Sequence, residues 1–510
     1  MSDEPSVVPQ DEHNAVLVAN AHPADWQNPE PDSCYNMVVI GAGPAGLVAA
    51  AGAAGLGAKV ALVERHLMGG DCLNFGCVPS KCLVRSSRAA ADMRDAVRFG
   101  VGLSTGPEVD FPAVMERMRR LRAKISRNDS VERFNSLGVD IFLGEGRFVG
   151  RHAVEVGGKT LNFNKGVIAS GARAYVPPIN GLADVGCLTN ETVFSLTEKP
   201  DGLAVLGAGP LGCELAQAFN RLGCKVTLIH NHEHILNRED DDAAEIVERA
   251  LKSDGIRLLL NCDTVGVESK DGRKVIRFEQ NGKESTIEVG EILIASGRAP
   301  NVEGMNLEAA GVEYDASQGV LVDERLRTSN ADIYAAGDIC LKYKFTHTAD
   351  ATARIVLQNA LFMGRKRTSA LTVPWCTYTD PEIAHVGMYK EEAEEKGVET
   401  DVYTRRMRDV DRAIADGEED GFVKIITRKG TDVIVGATIV ARHAGEMISE
   451  ITLAIVGNVG LGTLSNVIHP YPTQAEAIKH LADEYSRTRL TPRVRKMFEK
   501  WQALGRRCRT

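Results

Sequence analysis

The sequence predicts an α/β protein: two Rossmann-like, dinucleotide-binding domains and a smaller α+β domain at the C-terminal end. Three observations carry this reading. A strand, a glycine turn, a helix and a second strand follow one another from Met37, and the same series returns from Leu203. From about residue 371 the texture changes to short strands followed by helices. And 510 residues are too many for a single core, so three or so domains are expected.

Residues 1–35 are polar, acidic and rich in Pro, Asn and Asp, and read as an extended or partly ordered tail. Met37 to Ile40 is a continuous apolar strand of the kind buried in a parallel sheet. The turn Gly41-Ala42-Gly43-Pro44-Ala45-Gly46 follows. Its first glycine turns the chain, the second admits a pyrophosphate, and the third lets the helix pack on the strand. The helix N-terminus then faces the phosphates. Glu64 ends the second strand, where an acid accepts a ribose hydroxyl. The uncharged run 37–58 is long enough to span a bilayer, but its glycines and Pro44 fit strand, turn and helix instead.

Residues 86–136 read as helices, 153–163 as a hairpin, and 166–171 as a buried strand ending in Gly171. The second series has its own turn, Gly207-Ala208-Gly209-Pro210-Leu211-Gly212. It then has a hairpin at Asn281-Gly282 and a strand ending in Ile294-Ala295-Ser296-Gly297, which repeats the first ending. Here His230 stands where the first series has Glu64. With His232, His234 and Arg238 it reads either as a seat for a 2′-phosphate or as a solvated loop; NADPH is slightly favoured over NADH. A further apolar strand ends in Gly337-Asp338, whose carboxylate can hold a sugar-alcohol hydroxyl.

The chain is organised around Gly69-Gly70-Asp71-Cys72-Leu73-Asn74-Phe75-Gly76-Cys77-Val78-Pro79-Ser80-Lys81. If Cys72 and Cys77 start a helix, they lie about one turn apart and can meet as a disulfide. Lys81 falls one turn beyond Cys77. A thiolate is the reactive form of cysteine, and a nearby Lys and a helix N-terminus lower its pKa. A reactive cysteine pair beside a nucleotide site implies that electrons pass between cofactor and sulfur. Cys82, Cys213, Cys224 and Cys262 read as core residues.

These motifs, in this order, resemble the flavoprotein disulfide reductases, which include mercuric reductase, dihydrolipoamide dehydrogenase and glutathione reductase. The resemblance spans roughly residues 36–490 and is nearest to the mercuric-reductase type. It implies an FAD domain in two segments (36–185 and 301–370), an NAD(P) domain (186–300) and a dimerisation domain (371–490), between the N-terminal extension (1–35) and the basic tail (491–510) that composition marks off. It implies FAD held by Gly41, Gly43, Gly46, Glu64, Lys81, Gly171, Gly337 and Asp338, and NADPH or NADH held by Gly207, Gly209, Gly212, His230 and Gly297. Cys72 then exchanges with substrate, Cys77 lies against the flavin, Lys81 pairs with Glu214, and Tyr471 and Glu476 complete the active site of the partner in a homodimer.

One departure bears on the substrate. Dihydrolipoamide and glutathione reductases carry a proton-shuttling His where this chain has Tyr471, five residues before Glu476. A phenol is a poor base at neutral pH. His469 is two residues early and is the remaining candidate base. Mercuric reductases share the Tyr, and a soft metal ion needs thiolates more than a base. That family usually ends in a vicinal cysteine pair, whereas only Cys508 stands here. The expected acceptor is therefore a metal–thiolate or a small thiol or disulfide. Oxidation of dihydrolipoamide is the alternative, and a flavin-bound redox sensor a distant third.

Composition narrows the classes. A net charge of −9 disfavours a nucleic-acid partner. Eleven cysteines, mostly scattered singly, argue against a secreted disulfide framework and for a reducing, cytoplasmic setting. No signal peptide, membrane insertion or resident metal is expected. The basic stretch after Arg487 reads as a solvated amphipathic helix.

Overall fold

The computed structural model describes residues 7–102 and 108–506; Cys508 lies outside the described residues. The chain divides into two compact units. One comprises residues up to Ile235 together with Asp254–Leu371, and the other Leu236–Ser253 together with the chain from Thr372.

In the first unit, β1 (Tyr35–Ile40), β2 (Val60–Glu64) and β3 (Val139–Leu143) lie parallel in the order β3-β2-β1. The strand Lys159–Ile168 joins the other side of β1, and Ile333–Ala335 pairs with that strand in turn. Helix α2 (Pro44–Gly55) follows the first glycine turn and packs on this sheet through Leu47, Ala49, Ala50 and Ala53. Small side chains let the helix approach closely. Gly46 shows why the third glycine is needed: a Cβ there would stand 1.8 Å from the Gly41 carbonyl oxygen. Short α3 (Gly70–Asn74) and long α4 (Cys77–Asp95) come next, then α5 (Phe111–Ser126).

The second series builds a matching four-stranded parallel sheet, with Leu203–Leu206 between Val226–Ile229 and Glu291–Ile294, and Arg257–Leu259 outermost. Helix α6 (Pro210–Arg221) follows its glycine turn. The close approach is repeated, since a Cβ on Gly212 would stand 2.0 Å from the Gly207 carbonyl oxygen. From the middle of this series the chain lends α7 (Asp241–Ser253) to the second unit, within the span expected to be wholly NAD(P)-binding. Helix α8 (Thr346–Leu361) closes the first unit.

The N-terminal extension is where the sequence reading is corrected. Over residues 7–35 it is a folded strap, not an extended or partly ordered tail. Asp11 caps α1 (Glu12–Ala21) by accepting from the Asn14 amide. Asn14, Leu17 and Ala21 are buried on one face of α1, at helical spacing. The polar contacts are specific. Arg122 on α5 donates to the Asn14 side chain at 2.7 Å and to the Asn74 carbonyl at the end of α3 at 2.8 Å. The Met68 amide donates to the Ala21 carbonyl, and His22 bonds the His66 carbonyl. Trp26 donates to the Ile141 carbonyl on β3. The strap thus grips both ends of the segment that carries Cys72. Asn14, being polar, interrupts the apolar period that would have announced this helix.

The second unit is a five-stranded antiparallel sheet in the order Pro374–Thr377, Glu382–Gly387, Ile434–Ala441, Phe422–Arg428, Thr400–Arg406. Alternation divides its faces. Ala384, Val386, Val423, Ile425, Ala437 and Ile439 join one apolar core with α9 (Ala444–Val456) and α10 (Glu476–Thr488). Lys424 and Thr438 alternate with them and meet the segment leading into α7, where Asp240 lies 2.9 Å from Lys424. Half-buried Glu239 accepts from Trp375 at 2.8 Å and from Tyr389 at 2.6 Å. A last helix, α11 (Pro492–Gly505), has no buried residue.

Leu17→Ala tests the strap. Truncating a fully buried Leu costs about 2–5 kcal/mol, so local opening should rise roughly 100-fold. Limited proteolysis of the FAD-loaded protein should then cut within residues 7–35 at a correspondingly higher rate; an unchanged rate would mean that the strap is not held by this face.

Candidate active site

The first unit brings the predicted redox residues together. Gly69 has φ of +89° and starts α3, and Gly70 at +56° passes so close to Gly43 that a Cβ would lie 2.6 Å from the Gly43 Cα. That contact seats the cysteine segment against the nucleotide turn. Cys72 is half-buried on α3, and Cys77 is exposed as the first residue of α4. Neither sulfur is joined to another cysteine.

The two sulfurs are unlike. The hydrogen bond from Cys72 to Cys77 pushes the Cys72 thiol far up, and burial adds to this. The same bond holds Cys77 well below the ordinary thiol value, opposed by desolvation of the sulfur and helped by Thr346 and by the charge of Lys81. Thr346, at the start of α8, lies 3.5 Å from the Cys77 sulfur. Lys81 and buried Glu214 form an ion pair at 2.8 Å, as the family resemblance implies. Lys81 sits one turn along α4 from Cys77, so the cation is fixed beside the thiolate.

A second group was not anticipated. Asp71 accepts from Asn190 at 2.7 Å and pairs with Arg298 at 3.2 Å. Arg298 also faces Asp338 at 3.5 Å. One guanidinium therefore links the carboxylate preceding Cys72 to the carboxylate expected to hold the flavin side chain. Burial raises the Asp338 pKa, and Arg298 and Lys344 counter it. Asp71 adjoins Cys72 and Arg298 adjoins Gly297, so adjacency was the available signal. Thr346 and Asn190 gave none.

The glycine turns fit dinucleotides. Gly41 has φ of +101°, and a Cβ on it would lie 2.3 Å from the Ala169 carbonyl oxygen. Gly43 and Gly209 precede α2 and α6 with no side-chain cap, and no atom lies within 4 Å of a Cβ placed on Gly209. Helix N-termini whose amides no side chain caps suit a pyrophosphate. Gly171, Gly297 and Gly337 adopt left-handed φ at or after strand ends. The Glu64 carboxylate accepts from the Ala42 amide at 2.7 Å and the His66 amide at 2.8 Å, leaving lone pairs for a ribose hydroxyl.

His230 takes the corresponding place in the second series. Its Nδ1 accepts from the Ala208 amide at 3.4 Å. Burial, then the neighbouring His232 and His234, lower its pKa to about 4. The ring is therefore neutral and carries its proton on Nε2, an atom with no partner among the described residues. It offers a hydrogen-bond donor where Glu64 offers acceptors.

Tyr471, His469 and Glu476 belong to the second unit. Tyr471 is 70% exposed and donates to Asp411 at 3.0 Å. His469 is bound to Glu450 at 3.0 Å, while Glu476 stands 3.7 Å from His480. His469 and Glu476 thus have other partners within their own chain.

Residues 35–353 match the pyridine nucleotide-disulphide oxidoreductases, and residues 373–482 match the dimerisation domain of the same family. The chain is 35% identical to mercuric reductase of Staphylococcus aureus over 88% of its own length and 82% of that protein. It is 34% identical to dihydrolipoyl dehydrogenase of Chlamydia muridarum, over 87% of this chain and 95% of the other. It also superposes on the Cu(II) complex of the HOCl-induced flavoprotein disulfide reductase RclA from Escherichia coli with a TM-score of 0.79 and 27% identity, covering 89% of this chain and 99% of that one.

The sulfur asymmetry predicts a pH profile. A lowered pKa means that the thiolate is present above it and lost as pH falls through it. In the two-electron-reduced, FAD-loaded protein, charge-transfer absorbance from Cys77 should persist down to pH about 6 and fade below. Lys81→Met should move the midpoint upward, and Cys77→Ser should abolish the band; a band surviving in Cys77→Ser would exclude Cys77 as the sulfur at the ring. His230→Glu, placing a like charge beside a 2′-phosphate, should weaken NADPH relative to NADH by about tenfold or more, measured as dissociation constants; an unchanged ratio would remove His230 from the nucleotide site.

Proposed function

The chain belongs to the pyridine nucleotide-disulphide oxidoreductases, whose cofactors are FAD and NAD(P)H, and on that premise we propose that it passes electrons through Cys72 and Cys77 to a soft metal ion held as its thiolate. The observation that carries this is the unequal sulfur pair combined with Tyr471 at the proton-shuttle position. The bound cofactors supply the electron pair that keeps the sulfurs reduced.

The rest is the work of the chain. Cys77 offers a thiolate at neutral pH, stabilised by the Cys72 hydrogen bond, Thr346 and Lys81. Cys72 holds its proton until an acceptor displaces it. A thiophilic cation binding both sulfurs removes that proton directly, so no basic side chain is required. A dithiol or disulfide acceptor does need one. His469, its ring bound to Glu450, does not stand ready for that role. The Cu(II) found with RclA is a precedent for a metal ion on this fold.

We also propose a homodimer in which the partner's second unit supplies Tyr471. Support comes from the matched dimerisation domain and from exposed apolar residues of the second unit, with Leu453 71%, Val456 62% and Ile468 92% exposed. Leu453→Arg should give monomers by sedimentation and lose acceptor turnover; a fully active monomer would sink this arrangement.

The deciding experiment is an acceptor screen on purified FAD-loaded protein with NADH and NADPH. Mercuric ion should be consumed, and Cys72→Ser or Cys77→Ser should stop this. Binding of mercuric ion to the reduced pair should release about one proton near neutral pH and approach two below pH about 6. Vigorous oxidation of dihydrolipoamide with NAD, lost in His469→Ala, would replace this reading with the dihydrolipoyl dehydrogenase one.

A further inference from the structure

Helix α11 (Pro492–Gly505) lies beyond the family's dimerisation domain, which ends at residue 482. Thr491 caps it and Pro492 occupies its first turn, so it starts with ordinary helix signals. None of its residues is buried. At 100° per residue, Val494, Met497, Phe498, Trp501 and Leu504 fall within one arc of roughly 120°. Leu490, just before the helix, extends the same line. These are large side chains left in water: Met497 is 58%, Trp501 66% and Leu504 66% exposed. Phe498 and Trp501 lie together on that face with ring centroids 6.3 Å apart.

The remaining arc is cationic. Arg493, Arg495, Lys496, Lys500 and Arg506 share it with one acid, Glu499, which pairs with Arg495. The chain as a whole is acidic, at −9, so this helix is opposite in sign to the net charge. A solvated helix has no need of a continuous Met, Phe and Trp face, and a helix packed in a core has no need of cations around its flanks. Apolar residues on one side and Lys and Arg on the other suit the boundary of an anionic bilayer. There the rings enter the acyl edge and the long cationic side chains reach the headgroups. No helix among the described residues is long and apolar enough to cross a membrane.

We propose that α11 is a surface anchor that seats this enzyme on anionic lipid. The attachment is peripheral and reversible, because one short helix and its charges are the whole contact. The occupant is a negatively charged lipid surface, because cations flank the apolar stripe; a second copy of the chain is the alternative that the oligomer measurement below would reveal.

The test uses the full-length, FAD-loaded protein and co-sedimentation with vesicles of phosphatidylcholine, alone or mixed with phosphatidylglycerol. Binding is expected with the anionic mixture only, and about 0.5 M salt should weaken it. Replacing Arg493 or Lys500 by Ser should lower partitioning about fivefold for each charge. Phe498→Ala should lower it about tenfold or more. Trp501 emission should shift to the blue on anionic vesicles, a change absent from Trp501→Phe. Ending the chain after Thr488 should abolish binding while leaving NAD(P)H oxidation and the sedimentation coefficient in solution unchanged, because the helix covers no core. The proposal is overturned if neutral and anionic vesicles bind alike, if the shortened chain still binds, or if shortening it changes the oligomer.

Discussion

The constraint on which the rest depends is that two neighbouring sulfurs share a hydrogen bond and cannot carry equal charge. Cys72 donates and Cys77 accepts, so one holds a proton and the other a negative charge. Everything around them fixes that division. Lys81 and Thr346 stand on the Cys77 side, and Glu214 holds Lys81 in place. On the Cys72 side, Asn190 and Arg298 engage the Asp71 carboxylate. The strap reaches the same helix from outside, through Arg122 and the Asn74 carbonyl. Three separated stretches of sequence thus determine the geometry of a five-residue helix.

The two nucleotide sheets show how one backbone plan accepts different chemistry. In both, a glycine turn is stitched to the end of the second strand through the amide of its second residue. Ala42 donates to Glu64, and Ala208 donates to His230. The stitch needs only an acceptor, and a carboxylate or a neutral imidazole supplies one. What differs is the capacity left on that acceptor: carboxylate lone pairs in the first series, a buried N–H in the second. The backbone task is the same in the two halves while the remaining hydrogen-bonding sense is reversed.

Much of this was legible because it is periodic or local. The continuous apolar strands, the glycine turns and the Cys77–Lys81 spacing are short-range patterns, and the structure places them as those patterns imply; Cys72, expected to share a helix with Cys77, lies instead on the separate α3, because the helix breaks at Phe75-Gly76 before α4 begins. The Lys81–Glu214 pair was legible only through resemblance, since nothing in the spacing of 81 and 214 joins them. Asn190 and Thr346 were not legible at all. Each acts through a tertiary contact and has no motif of its own. The strap was misread for a related reason. Its helix is held by buried polar groups, Asn14 against Arg122, and composition counts such residues as signs of disorder.

The loan of α7 to the second unit has a consequence for the order of assembly. Glu239, Asp240 and Asp242 leave the ribosome well before Trp375, Tyr389 and Lys424 exist to receive them. The second unit therefore cannot complete itself from its own contiguous stretch of chain, whereas the nucleotide sheets can begin to form as they emerge. A fragment starting at Thr372 lacks the carboxylates that Lys424 and Trp375 face. The nascent chain must keep this acidic segment unspent until the last domain arrives, which ties maturation of the C-terminal half to synthesis of the middle.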